Sequence, residues 1–542
     1  MVMVNLVLPM LVLVPFFVGI GLLVARRCCL TEAVGEVIGL IAASAMFVFS
    51  IVASVAVASI EPLRGDTVIA PRLEFTPSWL VLRLPSMLAT NSEGWQLSLG
   101  LDGIGLSMVV LTAVVTLAVL LVSRKTVTHD RSDFGAWTLF AASGLMLVFT
   151  SMDLILFYVG FELTLIPLFA LIAFWGDKDA GVAAKRFVLY TLAGSIPMVV
   201  GILGISLLYA GDGGWTANLP ELSRRAALKA SSVETAEAQT WVFGFLVLGL
   251  GIKMALLPVH TWLPKTYGSC HATAAAFLAA VVLKLGLFGF VRLALPMVPQ
   301  ACENYGPTVM GLLGATAIVV GALMALAQTD LMRLLAYSSL SHVGFVTMGL
   351  FSLNEEGING GVLQMFNHGI TTAAVFLAAS CLIARRGTAQ LNSGSRGLSS
   401  RYPKLCTFMI FFLVAGAGAP GLNNFVGETL ALAAMVAKQP WVAALGVLGI
   451  ILGAWYSFRL IQNLLLGPDA PDRNHDVAAL AQQDIDVREK SVFAFLAVVC
   501  LLIGVYPQMA INVIQRDAQQ LGTVGSTAEN SRLALNSSEQ KP

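Results

Sequence analysis

Apolar segments of about 20 residues recur along almost the whole chain, and they limit its fold more than any other feature. A run such as residues 2–25 has the length that an α-helix needs to cross the hydrocarbon core of a bilayer, about 20 residues. Charged residues make up only 12% of the sequence, roughly half the share found in soluble domains. Because backbone polar groups inside a bilayer must be satisfied within the structure, we predict an all-α, polytopic transmembrane helical bundle.

The bundle should contain about fourteen spans, each near the length that a bilayer requires. Two longer loops, around residues 61–103 and 211–239, interrupt the series, and the polar tail beyond about residue 516 is expected to be mobile. The predicted spans lie near residues 3–24, 34–60, 104–122, 134–151, 153–175, 187–210, 240–258, 271–295, 307–327, 334–352, 360–384, 405–436, 440–465 and 491–513.

Positive charge is distributed unevenly over the loops. Arg26 and Arg27 follow the first apolar run, which is too long for the core of a signal peptide, so we expect a retained helix that starts outside the cell. With that start, the short loops expected in the cytoplasm carry most of the lysines and arginines, which agrees with the positive-inside rule. They include Arg124, Lys125, Arg131, Lys178, Lys185, Arg186, Lys265, Arg333, Arg385, Arg386, Arg401 and Lys404.

Two of the predicted spans contain helix-breaking residues. One has Gly249 and Gly251 ahead of Pro258, and the other contains residues 417–421, Ala-Gly-Ala-Pro-Gly. Interrupted helices expose backbone groups, which a membrane protein tolerates only beside a cavity or a buried polar site. We therefore predict two broken helices, spaced as an internal repeat would space them. The GxGxxG pattern at residues 416–421 lies in an apolar helix without a preceding strand, so it does not indicate a nucleotide site.

Six ionisable residues lie well inside predicted spans, where a charge costs about 2.5–3.5 kcal/mol on insertion scales. They are Glu162, Lys253, Lys284, His342, His368 and Glu428. A buried acid or base near an opposite charge changes its proton affinity when that charge moves, and histidine can pass protons between such groups. Together the six residues indicate a proton relay.

Simpler interpretations exist for some of these residues. Glu162 and Lys253 could form a structural ion pair, although desolvation often exceeds the Coulomb gain of such a pair. His342 and His368 could bind a haem, but that leaves the buried lysines unexplained. The seven cysteines show no CxxC pair and no metal-ligand spacing, so we predict no metal site.

Several segments around these residues resemble the antiporter-like subunits of respiratory complex I, and specifically the subunit M family, whose mitochondrial counterpart is chain 4. The similarity extends from about residue 101 to about residue 507. The segments that carry it are residues 150–167, 252–265, 330–345, 364–376 and 424–428.

The resemblance implies a role for each of the six residues. Glu162 and Lys253 would be the coupled pair of the input half-channel, and Lys284 would be the central proton carrier. Glu428 would be the carrier on the exit side. The two histidines, His342 and His368, would lie between Lys284 and Glu428.

The family fold implies fourteen helices with two inverted five-helix repeats. It divides the chain into N-terminal spans with an external loop (residues 1–133), an input half (134–300), an output half (301–465) and a C-terminal span with a polar tail (466–542). The resemblance also implies a bacterial inner membrane location and partners of the subunit L and N types. NADH, FMN, iron–sulfur clusters and quinone would be held by partner subunits, with no cofactor on this chain. The net charge of +1 gives no indication of nucleic acid binding.

Two other functions remain open from the sequence. The chain could serve a multisubunit cation/proton antiporter or a membrane hydrogenase, with the same relay and a different driver. Thr372 and Glu428 stand where subunit L and antiporter relatives usually carry lysine, which favours subunit M. The chain could also be a structural scaffold without transport, in which case the buried charges would be dispensable.

The sequence departs from the family pattern in one loop. The family usually has a histidine at the position of Tyr267 and an acid at the position of Ser269, so the cytoplasmic side of the input half differs here. His271 could replace the missing histidine or be an ordinary loop residue. Ala255 and Met332 replace a usual proline and lysine.

Overall fold

The computed structural model describes residues 6–28, 30–60, 68–77, 81–82, 95–210, 214–229, 233–391, 397–467 and 483–539. The chain starts with two long helices, α1 (Val7–Cys28) and α2 (Glu32–Ser59). They pack against each other and against the third and fourth helices through small and aliphatic side chains such as Ala43 and Leu139. Many of their remaining aliphatic side chains are exposed, as expected for helices that face lipid.

Four short strands follow α2, so the prediction of an all-α chain is wrong in this loop. Strand β1 (Leu73–Phe75) pairs antiparallel with β4 (Leu99–Leu101), and β2 (Val81–Leu82) pairs with β3 (Trp95–Gln96). In β1, Leu73 is buried and Glu74 is exposed, the alternation that a strand with one covered face requires. The strands lie outside the predicted spans, where backbone hydrogen bonds need not be helical.

The helices that surround Glu162 and Lys253 form the next part of the bundle. In chain order they are α3 (Gly103–Thr126), α4 (Arg131–Thr150), α5 (Leu154–Leu163), α6 (Leu165–Ala173), α7 (Ala180–Leu208), α8 (Leu219–Leu228), α9 (Val233–Lys253) and α10 (Trp262–Ser269). The predicted loop at residues 211–239 is therefore partly helical.

One span at the centre of the bundle, Ala272–Ala294, is completely buried. It consists of α11 (Ala272–Phe277), a π-helical turn at Leu278–Val282, α12 (Lys284–Gly289) and a second π-helical turn at Phe290–Ala294. Single π turns inside helices often occur at functional sites.

The remaining helices surround this span and complete the bundle. They are α13 (Pro299–Tyr305), a π turn at Gly306–Met310, α14 (Gly311–Leu326), α15 (Leu331–Leu350), α16 (Glu355–Arg386), α17 (Pro403–Gly416), α18 (Asn423–Lys438), α19 (Pro440–Leu460), a π turn at Ile461–Leu465, α20 (Val487–Val505) and α21 (Gln508–Glu539).

Eleven helical segments in the described residues are long and apolar enough to cross a membrane, or twelve if the bent pair α20–α21 is one span. The span predicted near residues 334–352 is present as α15 but is not among the eleven. The predicted total of fourteen therefore stays a prediction, as do the inverted repeats.

Both predicted helix breaks are present. Helix α9 ends at Lys253 and α10 begins at Trp262, with Pro258 between them; α17 ends at Gly416 and α18 begins at Asn423. The first break contains Ala255 with a φ of 60°, a left-handed conformation that is uncommon for a residue with a side chain.

The tail that was predicted to be mobile beyond about residue 516 lies in helix α21. This helix bends by 68° from α20, and it packs against α3, α13 and α16. Asp517 on this helix is buried, and its carboxylate accepts hydrogen bonds from the backbone N–H groups of Gly103 and Ile104. A carboxylate at the N-terminus of α3 satisfies free donors there and is favoured by the helix dipole.

Candidate functional site

Glu162 and Lys253 lie close to each other but are not joined directly. Glu162 is half-buried in the last turn of α5, and its carboxylate accepts a short hydrogen bond from the hydroxyl of Ser195 on α7. Lys253, 2% exposed at the end of α9, places its Nζ 3.4 Å from Thr164 Oγ1. Thr164 follows Glu162 by two residues, at the junction of α5 and α6, so a neutral hydroxyl stands beside the two charges.

Aromatic rings complete the surroundings of Lys253. Its Nζ lies 4.6 Å from the ring centroid of Phe161 and 5.8 Å from that of Phe187. The ring faces attract a cation and exclude water. The described residues place no carboxylate in direct contact with Lys253 Nζ. We call these residues around Glu162 and Lys253 the first site.

Lys284 occupies the centre of the bundle. Its side chain is fully buried, as its deep position in a span predicts. Its Nζ lies 2.9 Å from the carbonyl of Ala279, in the π turn that precedes α12, and 2.9 Å from Nδ1 of His368 on α16. An ammonium can donate to a neutral imidazole, or an imidazole N–H can donate to a neutral amine. The same contact thus accommodates a proton on either residue.

The contacts continue from His368 to Glu428. The ring centroids of His368 and His342 are 5.2 Å apart, and His342 Nδ1 lies 2.8 Å from Glu428 Oε1. His342 is 7% exposed and Glu428 is 3% exposed. Four buried ionisable groups on α12, α15, α16 and α18 therefore form one continuous series, which we call the Lys284–Glu428 chain.

The break before α18 shapes the surroundings of Glu428. The Glu428 carboxylate also accepts a 3.0 Å hydrogen bond from Gln364 Nε2 on α16. Gly418, in the break, has a φ of +72°, and a Cβ there would lie 2.8 Å from Glu428 Oε2. The left-handed turn and the lack of a side chain let the broken backbone approach the carboxylate.

A small cavity with both polar and apolar side chains in its wall adjoins the two histidines. It has a volume of about 30 Å³, enough for a water molecule. His368 Nε2 and Asn424 Nδ2 find no hydrogen-bond partner among the described residues, and both side chains line this cavity. Buried polar atoms without a protein partner are ordinarily satisfied by water. The other polar residues in its wall are Ser338, Ser339, His342, Thr371, Thr372, Tyr456 and Ser457.

No hydrogen bond in the described residues joins the first site to the Lys284–Glu428 chain. The two are instead connected by packing. Gly286, two residues after Lys284, lies so close to α9 that a Cβ would come within 2.5 Å of the carbonyl of Leu250. A movement at the end of α9 would therefore be transmitted to the helix that carries Lys284.

The sequence did not indicate a buried charge cluster at the other end of the central span. Arg292 and Asp102 form a short bidentate ion pair, each side chain 3% exposed, and Arg72 lies 3.7 Å from the buried carboxylate of Asp517. Burial acts to raise the pKa of Asp102, but the Arg292 guanidinium, the hydrogen bond from Gly105 N–H and Arg72 together outweigh it, so the pKa lies below its usual value. The sequence feature that could have indicated this cluster is Arg292, a charged residue within an apolar segment.

The structure corrects the placement of Arg385, which was predicted in a cytoplasmic loop. Arg385 lies in the last turn of α16 with its side chain 1% exposed, and it is paired at 2.8 Å with the buried Glu489 of α20. The pair anchors the C-terminal helices to α16. An ion pair between distant segments leaves no periodic signal in the sequence.

The divergent loop is ordered by hydrogen bonds rather than by charges. His271 caps α11: its Nδ1 accepts from Thr273 N–H, and its Nε2 lies 3.1 Å from the carbonyl of Thr126. Burial lowers the pKa of His271 to about 4, so the ring is neutral at pH 7 with both nitrogens engaged. These contacts favour a structural role over replacement of the missing histidine. Tyr267 is fully buried, with its ring edge-on to Phe376.

Comparison with known proteins identifies the family. The model of a family described as NADH:quinone oxidoreductase/Mrp antiporter, transmembrane, matches residues 151–453. NADH-quinone oxidoreductase subunit M of Rhodobacter capsulatus is 34% identical over 443 residues, 79% of this chain and 83% of the relative. The chain belongs to the subunit M family of NADH-quinone oxidoreductase.

Other relatives of subunit M extend this match along the chain. Subunit M of Pseudomonas aeruginosa is 32% identical over 514 residues, 94% of this chain and 96% of the relative. A chain of respiratory complex I from Thermus thermophilus superposes with a TM-score of 0.81 at 28% identity, covering 96% of this chain and 99% of that one. The chain is therefore an antiporter-like, multi-pass integral membrane protein.

Proposed function

We propose that this subunit M family member moves protons across the membrane through its buried glutamate, lysine and histidine residues. Quinone reduction elsewhere in an NADH-quinone oxidoreductase would drive the movement. The observation that supports the proposal best is the Lys284–Glu428 chain, in which buried acids and bases contact one another in series. Buried ionisable groups in a membrane are costly and are characteristic of proton pathways.

Each residue of the Lys284–Glu428 chain has a chemical task in this proposal. Lys284 accepts a proton at Nζ and passes it across the 2.9 Å contact to His368. The proton continues to His342 through a water in the adjoining cavity, because the two rings share no direct hydrogen bond among the described contacts. Glu428, 2.8 Å from His342, is the carrier on the exit side.

The first site controls this movement. Glu162 and Lys253 act as a charge switch without direct contact, and the Thr164 hydroxyl lies 3.4 Å from Lys253 Nζ. When Glu162 loses its charge, the ammonium of Lys253 loses its stabilising field and favours release of a proton. The close packing of α9 on the segment around Gly286 then carries the change to Lys284.

The wider setting is part of the same proposal. The chain would work in a bacterial inner membrane beside subunits of the L and N types, with fourteen helices that include two inverted five-helix repeats. Its partners would hold NADH, FMN, the iron–sulfur clusters and quinone, and this chain would hold no redox centre. This setting is supported by the similar proteins of Rhodobacter capsulatus and Pseudomonas aeruginosa, both of which are subunits of NADH-quinone oxidoreductase.

Lys284→Met tests the proposal in the intact membrane complex. Methionine keeps the length and apolar stem of lysine but cannot carry a proton. We expect NADH-driven proton translocation to fall by about a hundredfold, within the usual contribution of a positioned proton-transfer group. The matched control is Lys490→Met, because Lys490 is an exposed lysine at the start of α20.

The result depends on assembly being equal in both variants, which blue-native electrophoresis measures. An assembled Lys284→Met complex that pumps at the parental rate would contradict the proposal. Such a result would favour the scaffold interpretation. Loss of pumping in Lys490→Met as well would show that the assay does not distinguish buried from exposed lysines and would remove the support.

A further inference from the structure

The cavity beside the two histidines lies toward one end of the helical bundle. It lies between the His342–His368 pair and the end of the bundle at which α14 ends, α15 begins and α19 ends. Arg459 on α19 donates a 3.0 Å hydrogen bond to the carbonyl of Leu326 at that end. Because the exposed Arg333 and Arg459 lie at this end, we call it the basic end, and the positive-inside pattern predicts that it faces the cytoplasm.

A second cavity opens at the basic end. It has a volume of about 370 Å³ and is lined by polar groups that include Gln328, Thr329 and Asn463. Tyr456 lines both this outer cavity and the small inner cavity beside the histidines. The tyrosine is 3% exposed, so it forms a wall between them.

A hydrogen bond between two hydroxyl groups lies in the wall between the cavities. The Tyr456 hydroxyl lies 2.7 Å from the hydroxyl of Ser338 on α15, and either group can be the donor. Two hydroxyl groups that can exchange donor and acceptor roles can pass a proton without moving their heavy atoms. On the inner side, His368 Nε2 and Asn424 Nδ2 lack partners among the described residues, as expected for groups that bind water.

We propose that protons reach the His342–His368 pair from the basic end through the outer cavity, the Tyr456–Ser338 hydroxyl pair and the inner cavity. The route gives the second half of the protein its own proton uptake path, in addition to the one expected at Glu162 and Lys253. This inference rests on the proposed function, because an uptake path matters only if the chain moves protons. Access from the basic end to the inner cavity can be tested without measuring pumping.

Tyr456→Phe in the intact complex tests proton passage through the wall. Phenylalanine keeps the wall closed but removes the hydroxyl. We expect NADH-driven proton pumping to fall about tenfold, which is less than the roughly hundredfold loss of a sole proton-transfer group, because the uptake path at Glu162 and Lys253 remains. Tyr209→Phe is the matched control, because Tyr209 is an equally buried tyrosine whose hydroxyl bonds the carbonyl of Met297 outside this route. Parental pumping in an assembled Tyr456→Phe complex would overturn the route.

Cysteine labelling tests the direction of access and does not depend on pumping. Ser339 lines the inner cavity and is buried. Ser339→Cys should react slowly with a small, membrane-impermeant methanethiosulfonate in the presence of Tyr456 and several-fold faster in Tyr456→Ala, where the wall is removed. Sealed vesicles of both orientations show the side from which the reagent enters, and the variants without Ser339→Cys give the background of native thiols.

The expected result is faster labelling from the basic end only. Faster labelling from the opposite end, or no increase in Tyr456→Ala, would overturn the proposed route. The proposed function itself fails separately, if an assembled Lys284→Met complex still pumps. The two conclusions therefore have independent tests.

Discussion

The first site and the Lys284–Glu428 chain use similar residues in different ways. In the first site a half-buried glutamate and a buried lysine are separated, with the Thr164 hydroxyl beside them and Ser195 on the carboxylate. In the Lys284–Glu428 chain, Glu428 and His342 are both buried and lie 2.8 Å apart. One arrangement couples its charges through the electric field, and the other couples them through contact.

The difference indicates a division of labour. Contact at hydrogen-bond distance suits transfer of a proton, because the donor and the acceptor are already aligned. Separation suits control, because a charge felt through a low-dielectric interior can change without a bond being broken. Under the proposed function, the Lys284–Glu428 chain would conduct protons and the first site would regulate them.

Removing the acid of the conducting chain should have the largest effect. Glu428→Gln keeps the side-chain size and can still accept from Gln364, but it cannot ionise, so the proton delivered by His342 has no acceptor. We expect proton pumping to fall by about a hundredfold, measured in an assembled complex. The matched control is Glu356→Gln, which removes an exposed carboxylate from the first turn of α16. Pumping retained in Glu428→Gln would break the distinction between the two sites.

Neutralising the regulating acid should have a smaller effect. In Glu162→Gln the amide keeps a hydrogen bond with Ser195, but Lys253 loses the field of the carboxylate. We expect pumping and quinone-linked turnover to fall together by about tenfold, less than the roughly hundredfold loss expected for a group in the proton path itself. Glu162→Asp, which still titrates, should retain part of the activity. Measuring both rates and assembly in the same membranes checks this. A Gln variant that behaves like the Asp variant would show that ionisation at this position is not required.

The hydroxyl beside the two charges should contribute least. Thr164→Val removes the 3.4 Å contact with Lys253 and preserves the shape of the side chain. A neutral hydrogen bond of this kind contributes about 0.5–1.5 kcal/mol, so we expect pumping to change by less than about tenfold. Thr347→Val, which removes a hydroxyl bonded within its own helix, controls for loss of a buried hydroxyl. A loss as large as that of Glu162→Gln would mean that Thr164 is itself a proton carrier.

The sequence was sufficient to predict the membrane class, the two helix breaks and the burial of five of the six ionisable residues, whereas Glu162 is half-buried. Each of these features is local. A span is recognised by its length and composition, a break by its glycines and proline, and a buried charge by its apolar neighbours. The resemblance to subunit M came from short local segments in the same way.

The contacts between the predicted residues depended on the tertiary structure. Lys284 and His368 are 84 positions apart, and His342 and Glu428 are 86 apart. Their meeting depends on how four helices pack, which no local pattern specifies. The same holds for Tyr456, an ordinary residue in an apolar span until its helix is placed beside Ser338.

Two residues lie in surroundings that their sequence neighbours do not indicate, for the same reason. Arg385 was predicted in a cytoplasmic loop because it follows an apolar segment. In the structure it is paired with Glu489, 104 positions later in the chain. Asp517 reads as part of a polar tail, yet the backbone of α3 binds its carboxylate. The sequence by itself determined which groups must leave water; only the tertiary structure decided their partners, because a buried charge is satisfied by what packs against it and not by its neighbours along the chain.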